Sequence, residues 1–186
     1  MEKIKLAQKH KEEIVKQYPE AIACIAQDFV GEHVEVDMYR VQDEFGFFSK
    51  YYTVGVTADK RFDSEFNLFI DGILEPEKEQ AMISDMSVII AKLYSGEIAC
   101  KSSTVVKVSE KAKEAFGFDY YLFDFHDLGI TCEGETIYYI QLVQIYENEY
   151  NFIQRNGHND FLDLYEENVP EDAQFCFGTL REPLDI

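Results

Sequence analysis

The segment that most constrains the fold is a run of ten residues, IYYIQLVQIY, at positions 137–146. Apart from two glutamines, it consists of β-branched, aromatic and other apolar residues, a composition typical of strands buried on both faces. We therefore interpret it as a central strand of a β-sheet. A chain of 186 residues is long enough to build one sizeable hydrophobic core.

Shorter segments with alternating or β-branched patterns predict the rest of the sheet. In HVEVDMYRV, at 33–41, apolar and polar residues alternate, and a turn within 42–49 would join this strand to the next as a hairpin. Gly55 indicates a bulge or a close approach of the backbone. The predicted strands span residues 33–41, 50–58, 65–71, 103–109, 119–125 and 137–146.

Helical spacing of apolar residues predicts the remaining elements. Pro19 ends the first helix and fits the first turn of a second one. The strongest helical pattern begins at Pro76 and ends at Gly96. The predicted helices span residues 3–18, 20–29, 76–96, 147–154 and 158–168, with a helical turn at 110–116.

This order of elements predicts the fold class α+β: a single domain with a central mixed or largely antiparallel β-sheet flanked by helices. We expect the N-terminal helices in residues 1–30, the core of the domain in 33–168 and a C-terminal tail in 169–186.

The charge is unevenly distributed along the chain. The net charge is −19, from 36 acids and 17 bases, and residues 114–186 hold 16 of the acids but only two bases, Arg155 and Arg181. Such a field repels nucleic acid and anionic membranes and attracts a basic partner. The alternative is a surface that serves solubility alone. We expect a protein partner, with no nucleic acid and no membrane.

Cysteine usage and the N-terminus indicate the compartment. The N-terminus has no apolar run that could serve as a signal peptide, and no CxxC spacing is present. We therefore expect a cytoplasmic protein whose cysteines are reduced core residues, without a structural disulfide or a cysteine metal site. The cysteines are Cys24, Cys100, Cys132 and Cys176.

Motifs of known catalytic sites are absent from the sequence: it has no phosphate loop, no GxGxxG, no GxSxG and no HExxH. The local cluster Asp124-Phe125-His126-Asp127, followed by Glu133 and Glu135, keeps one alternative open. It could bind a divalent cation or act in acid–base chemistry, which would make the protein a metal-dependent hydrolase or another enzyme centred on His126. The simpler interpretation is a solvated strand end that leads into a loop at Gly129. We expect no catalytic residues, no metal and no cofactor.

Two segments together resemble the Suppressor of fused domain family. In the first, the strand Tyr51–Thr57 contains Thr53-Val54-Gly55-Val56-Thr57 and is followed by Glu65-Phe66-Asn67-Leu68-Phe69-Ile70. It is similar to the family's Thr-x-Gly-x-Ser/Thr-like turn before a Glu-Leu-x-Leu-like strand. A Pro-Trp pair often follows in the family, whereas Asp71-Gly72-Ile73 stands here.

The second segment is the apolar run 137–146 with the helix that follows it. It resembles the family's apolar strand, which enters a helix at a glutamate, a position that Glu147 or Glu149 would hold here. Tyr146 departs from the small or polar residue that usually precedes this glutamate. The resemblance spans residues 33–168, which it implies are a Suppressor of fused-like core.

The resemblance implies a protein-binding function. Eukaryotic members of the family bind and restrain zinc-finger transcription factors, and stand-alone bacterial members resemble immunity proteins that neutralise toxins. A chain this short resembles the bacterial kind, which implies a cognate toxin as the partner. Since many such toxins are basic nucleases, an acidic inhibitor would suit one.

We therefore expect an acidic protein-binding module rather than an enzyme, with acids of the C-terminal third in contact with a basic toxin. Tyr120, Phe161 and Tyr165 are candidate aromatic anchors. A scaffold without a dedicated partner is the remaining alternative. The candidate partner-binding residues are Asp119, Asp124, Asp127, Glu133, Glu135, Asp160, Asp163, Glu166, Glu167, Glu171 and Asp172.

Overall fold

The computed structural model describes residues 2–17, 20–29, 32–42, 48–59, 61–132, 135–170, 174, 176–177 and 181–186. Its helices are α1 (Glu2–Gln17), α2 (Pro76–Ser95), α3 (Glu110–Phe116), α4 (Glu147–Asn156) and α5 (His158–Asn168). Its strands are β1 (Ala23–Phe29), β2 (Glu32–Gln42), β3 (Phe48–Val54), β4 (Ser64–Asp71), β5 (Val105–Lys107), β6 (Tyr120–Cys132), β7 (Glu135–Ile145) and β8 (Cys176–Phe177).

The strands of the described residues form one mixed sheet. Its order is β1-β2-β3-β4-β7-β6-β5, and β8 pairs with β4 outside this path. β4 runs parallel to β7 and to β8, and the other neighbouring pairs are antiparallel. The predicted fold class is confirmed, and β7, which carries the apolar run, lies inside the sheet with a neighbour on each side.

Helices cover both faces of the sheet. Successive residues of a strand point to opposite faces, and on β7 Leu142 packs in the cluster that holds α2 and α3. The next residue, Val143, packs instead with α4 and α5. On that second face, α1 packs through Ile14 against Tyr39 and Val54. The molecule is therefore layered as helices, sheet and helices.

The predicted second helix over 20–29 is wrong. Residues 23–29 form β1, an edge strand that pairs with β2 so that Ile25 faces Val36. Ile25 is buried in the same core cluster as Val36. The apolar spacing fits a helix, but tertiary pairing with a long neighbouring strand outweighs local propensity in so short a segment.

Two smaller predictions also need correction. β6 does not end before Gly129: the strand continues to Cys132, with an irregularity in pairing between His126 and Gly129. Cys24 is exposed rather than in the core, and Cys100 is partly buried. The side chains of Cys132 and Cys176 lie outside the described residues.

A buried carboxylate joins β3 to β4. Glu65 is fully buried, and its two oxygens accept hydrogen bonds from the backbone N–H groups of Gly55 (3.0 Å), Val56 (3.2 Å) and Thr57 (3.0 Å). The hydroxyls of Thr53 and Thr57 donate to it as well, at 2.9 and 2.8 Å. Burial raises the pKa of Glu65, and these donors oppose the rise. The carboxylate therefore fixes the turn that follows β3.

Gly55 makes this turn possible. Its φ of +123° is rare for residues with a side chain, and a Cβ there would lie 2.6 Å from the carbonyl oxygen of Glu35. The predicted close backbone approach is thus confirmed, and it is an approach to β2.

A second buried carboxylate fixes the start of α4. Glu149 is fully buried, and it accepts a hydrogen bond from the N–H of Tyr146 at 2.9 Å, which caps the helix. Arg181 binds both of its oxygens, at 2.6 and 2.7 Å, and the N–H of Leu184 donates to it at 2.9 Å. Residues 181–186 are thereby tied to α4.

We expect Glu65→Gln to lower the free energy of unfolding by about 2–4 kcal/mol, because the new NH₂ group faces N–H donors and leaves them unsatisfied. Urea denaturation followed by circular dichroism measures this loss. The exposed Glu114→Gln is the matched control, with an expected change within about 0.5 kcal/mol. Equal stability of both variants would contradict the role given to Glu65.

Candidate protein-binding surface

Helix α5 separates acidic from apolar side chains. Phe161 (0% exposed) and Tyr165 (5% exposed) are buried beneath it, and its exposed acids lie three, six and seven positions along from the first, so they share the opposite side. We call this surface the α5 acidic face. Its members are Asp160, Asp163, Glu166 and Glu167.

Two of these acids lie at the end of the helix where the helix dipole is unfavourable to negative charge. Glu166 and Glu167 lie at the C-terminal end of α5, and no basic residue is present in its last turn. The helix dipole makes a negative charge at this end unfavourable by about 0.3–1 kcal/mol. By contrast, Asp160 lies in the first turn, where the dipole favours it. The stability of α5 therefore does not explain Glu166 and Glu167.

The segment that carries this face has little positive charge at its surface. Arg181 is occupied by the buried Glu149, with only 7% of its side chain exposed. Arg155, the other base after residue 113, is exposed near the end of α4 and donates to the carbonyl oxygen of Asn151. The acids of α5 consequently keep most of their negative potential toward solvent.

Asp119 has a structural role. Its carboxylate accepts the N–H of Glu147 at 3.0 Å, at the start of α4, and pairs with Lys113 at 2.5 Å. Only 13% of its side chain is exposed. Asp119 therefore does not join the α5 acidic face.

Asp124 is half-buried on β6, where it faces Gln141 of β7. It borders a small cavity of about 40 Å³ beneath α5, which Glu166 and Tyr165 also line. Asp124 thus lies beneath α5 and not on the exposed side of the helix that carries the α5 acidic face.

The side chains of the remaining predicted acids lie outside the described part of the molecule. Asp127 and Glu135 lie in β6 and β7, but their side chains are outside the described part of the molecule. Glu133, Glu171 and Asp172 are wholly outside the described residues. Their contact with a partner stays a prediction.

The predicted aromatic anchors are mostly core residues. Phe161 and Tyr165 are buried against β6 and β7, so they are not available to a partner. Tyr120 is half-buried, stacks on Tyr150 with ring centroids 4.4 Å apart, and donates to Glu147 at 2.8 Å. Desolvation and, as the smaller cause, the hydrogen bond to Glu147 raise the pKa of Tyr120 to about 12. The sequence did not indicate Tyr150, because stacking across β6 and α4 has no local pattern.

The described side chains give no support to an enzyme centred on His126. The backbone of His126 pairs with Tyr139 of β7, but its side chain is outside the described residues. A hydrolase at this position therefore stays an untested alternative.

A larger groove of about 620 Å³ lies between α2 and α3. Charges of both signs line it, among them Glu75, Glu77, Lys78, Lys111 and Glu114. Because its lining carries both positive and negative charges, this groove would not select a basic partner.

Comparison with known proteins supports the fold. Neither a protein-family model nor a curated protein matches this chain. Among solved structures, a chain of the crystal structure of the Sufu–Fu complex is similar, with a TM-score of 0.60 and 12% sequence identity. The match covers 97% of this chain and 91% of that chain. The fold implied by the resemblance to Suppressor of fused is thus confirmed.

None of the helices in the described part of the chain combines the length and the apolar character of a membrane-crossing helix.

We expect Glu166→Gln/Glu167→Gln to raise the free energy of unfolding by about 0.3–1 kcal/mol, because it removes two anions from the C-terminal end of α5. Urea denaturation measures the gain. Glu12→Gln/Glu13→Gln, in the middle of α1, removes the same charge from two exposed positions and should give a smaller gain. A loss of stability in the α5 variant would show that these acids serve the fold.

Proposed function

We propose that this protein is an inhibitor of the immunity type, which neutralises a toxin with a basic surface by binding it through the α5 acidic face. Glu166 and Glu167 carry this proposal. They are exposed, they lie at the end of the helix that disfavours them, and no base of that turn compensates them. Acids kept at a cost to local stability are better explained by a partner than by the fold.

The distribution of charge supports a specific surface over general solubility. Solubility requires net charge but no particular location. Here residues 114–186 carry net −14 of the total −19, and one of their two bases is buried against Glu149. A concentrated field of one sign accelerates encounter with a partner of the opposite sign.

The similar fold supports a protein as the partner. The Suppressor of fused chain was crystallised in a complex with Fu. By analogy, we extend binding of a protein to this chain, and the choice of a basic toxin comes from the charge of the α5 acidic face. Function does not follow from fold alone, so the proposal depends on the surface.

The test is co-expression with a basic toxin encoded beside this protein in its host. Wild-type protein should restore growth and form a complex whose association rate falls at least about tenfold between low and high salt. Asp163→Asn/Glu166→Gln/Glu167→Gln should lower the association rate about tenfold or more at low salt and weaken its salt dependence.

Glu12→Gln/Glu13→Gln/Glu114→Gln is the matched control, since it removes three charges from exposed positions of α1 and α3. It should keep nearly the wild-type rate. Equal rates for the two triple variants would contradict the role of the α5 acidic face. A toxin that stays active beside the wild-type protein would contradict the proposed function.

A further inference from the structure

Three side chains of types that can bind metal ions lie close together on β1 and β2, at the edge of the sheet away from α5. Cys24 pairs directly with Asp37 in the antiparallel register, and Glu35 is two residues before Asp37 on the same face. One ligand atom from each of the three lies within 4.8 Å of the others. In the part of the chain that the structure describes, no other group of three such residues comes so close together.

The three side chains already contact each other or a cation. The thiol of Cys24 donates to Oε1 of Glu35 at 3.0 Å. The ammonium of Lys11, on α1, forms an ion pair with Asp37. The Tyr39 hydroxyl also donates to Asp37, at 3.4 Å. Asp37 is only 6% exposed, so a cation near it is weakly screened by solvent.

Among the described side chains, this cluster carries more negative than positive charge. Two carboxylates face a single ammonium, and the ion pairs found among the described residues include none to Glu35. The Cys24 thiol, which donates to Glu35, adds no positive charge. The excess negative charge near a largely buried carboxylate favours a second cation.

The donor set selects the kind of cation. Mg²⁺ and Ca²⁺ require six or more oxygen ligands, whereas one sulfur and two carboxylate oxygens suit a four-coordinate Zn²⁺ with a water molecule in the fourth position. Spacing in the sequence could not reveal this site, because strand pairing brings together residues that are 11 and 13 positions apart.

We propose that Cys24, Glu35 and Asp37 bind one Zn²⁺ ion, which clamps the edge strand β1 to β2. On binding, the Cys24 thiol releases its proton to solvent, and the Lys11 ammonium leaves Asp37. In the metal-free protein, Lys11 therefore acts as the counter-ion of Asp37. The site is remote in the sheet from the α5 acidic face and is independent of the proposed function.

The experiment uses the full chain, reduced and stripped of metal. It is titrated with Cd²⁺, whose bond to a thiolate gives an ultraviolet charge-transfer band, and Zn²⁺ is then added in competition. Wild-type protein should develop the band at one equivalent and lose it to Zn²⁺. Cys24→Ser should abolish the band, whereas Cys100→Ser, the matched control, should keep it.

Two further variants separate a built site from an adventitious ion. Glu35→Gln should weaken Zn²⁺ binding at least about tenfold, the scale seen when even outer partners of metal ligands are removed. Lys11→Met should strengthen binding, since no ammonium then has to be displaced. Far-ultraviolet circular dichroism checks that each variant is folded. The absence of a band in wild-type protein, an unchanged band in folded Cys24→Ser, or an unchanged Zn²⁺ affinity in folded Glu35→Gln would overturn the proposal.

Discussion

The buried carboxylate of Glu65 joins several elements of this fold through its hydrogen bonds. It lies on β4, the strand at which the antiparallel part of the sheet meets the parallel neighbour β7. Its five donors fix the turn after β3, against which α1 packs. The Tyr94 hydroxyl of α2 donates to the carbonyl oxygen of Val56 in the same turn, at 3.2 Å. One buried acid thus links β3, β4 and the helices of both faces.

Glu149 has the corresponding role at the other side of the sheet. By capping α4 and binding Arg181, it fixes the helix pair whose outer surface carries the acidic residues. The chain therefore uses its acids in two ways. Buried ones are satisfied by several donors and hold the fold together, whereas those on α5 are exposed and free of a compensating base in their turn. The second group is the one available to a partner.

Sequence patterns predicted the elements whose signals are local. The apolar run of β7 and the helix between Pro76 and Gly96 follow from composition, periodicity and end signals. The helix predicted over β1 is wrong, because the strand conformation of β1 comes from its pairing with β2. The burial of Glu149 and its contact with Arg181 have no local signal in the sequence, because residue 181 lies 32 positions away. The count of acids located the negatively charged segment of the chain. Only the structure shows that Glu166 and Glu167 are exposed at a helix end, whereas Asp119 is tied to the start of α4. Likewise, only the register of β1 and β2 shows that Cys24 lies beside Asp37.

The most direct test of the binding account is carboxylate footprinting, in which a carbodiimide labels exposed acids and mass spectrometry locates the label. It would be applied to the protein alone and bound to its toxin. If the α5 acidic face binds the toxin, complex formation should protect Asp163, Glu166 and Glu167, while Glu12 and Glu114 are labelled equally in both states. Unchanged labelling of α5 in a formed complex, with protection elsewhere, would contradict it.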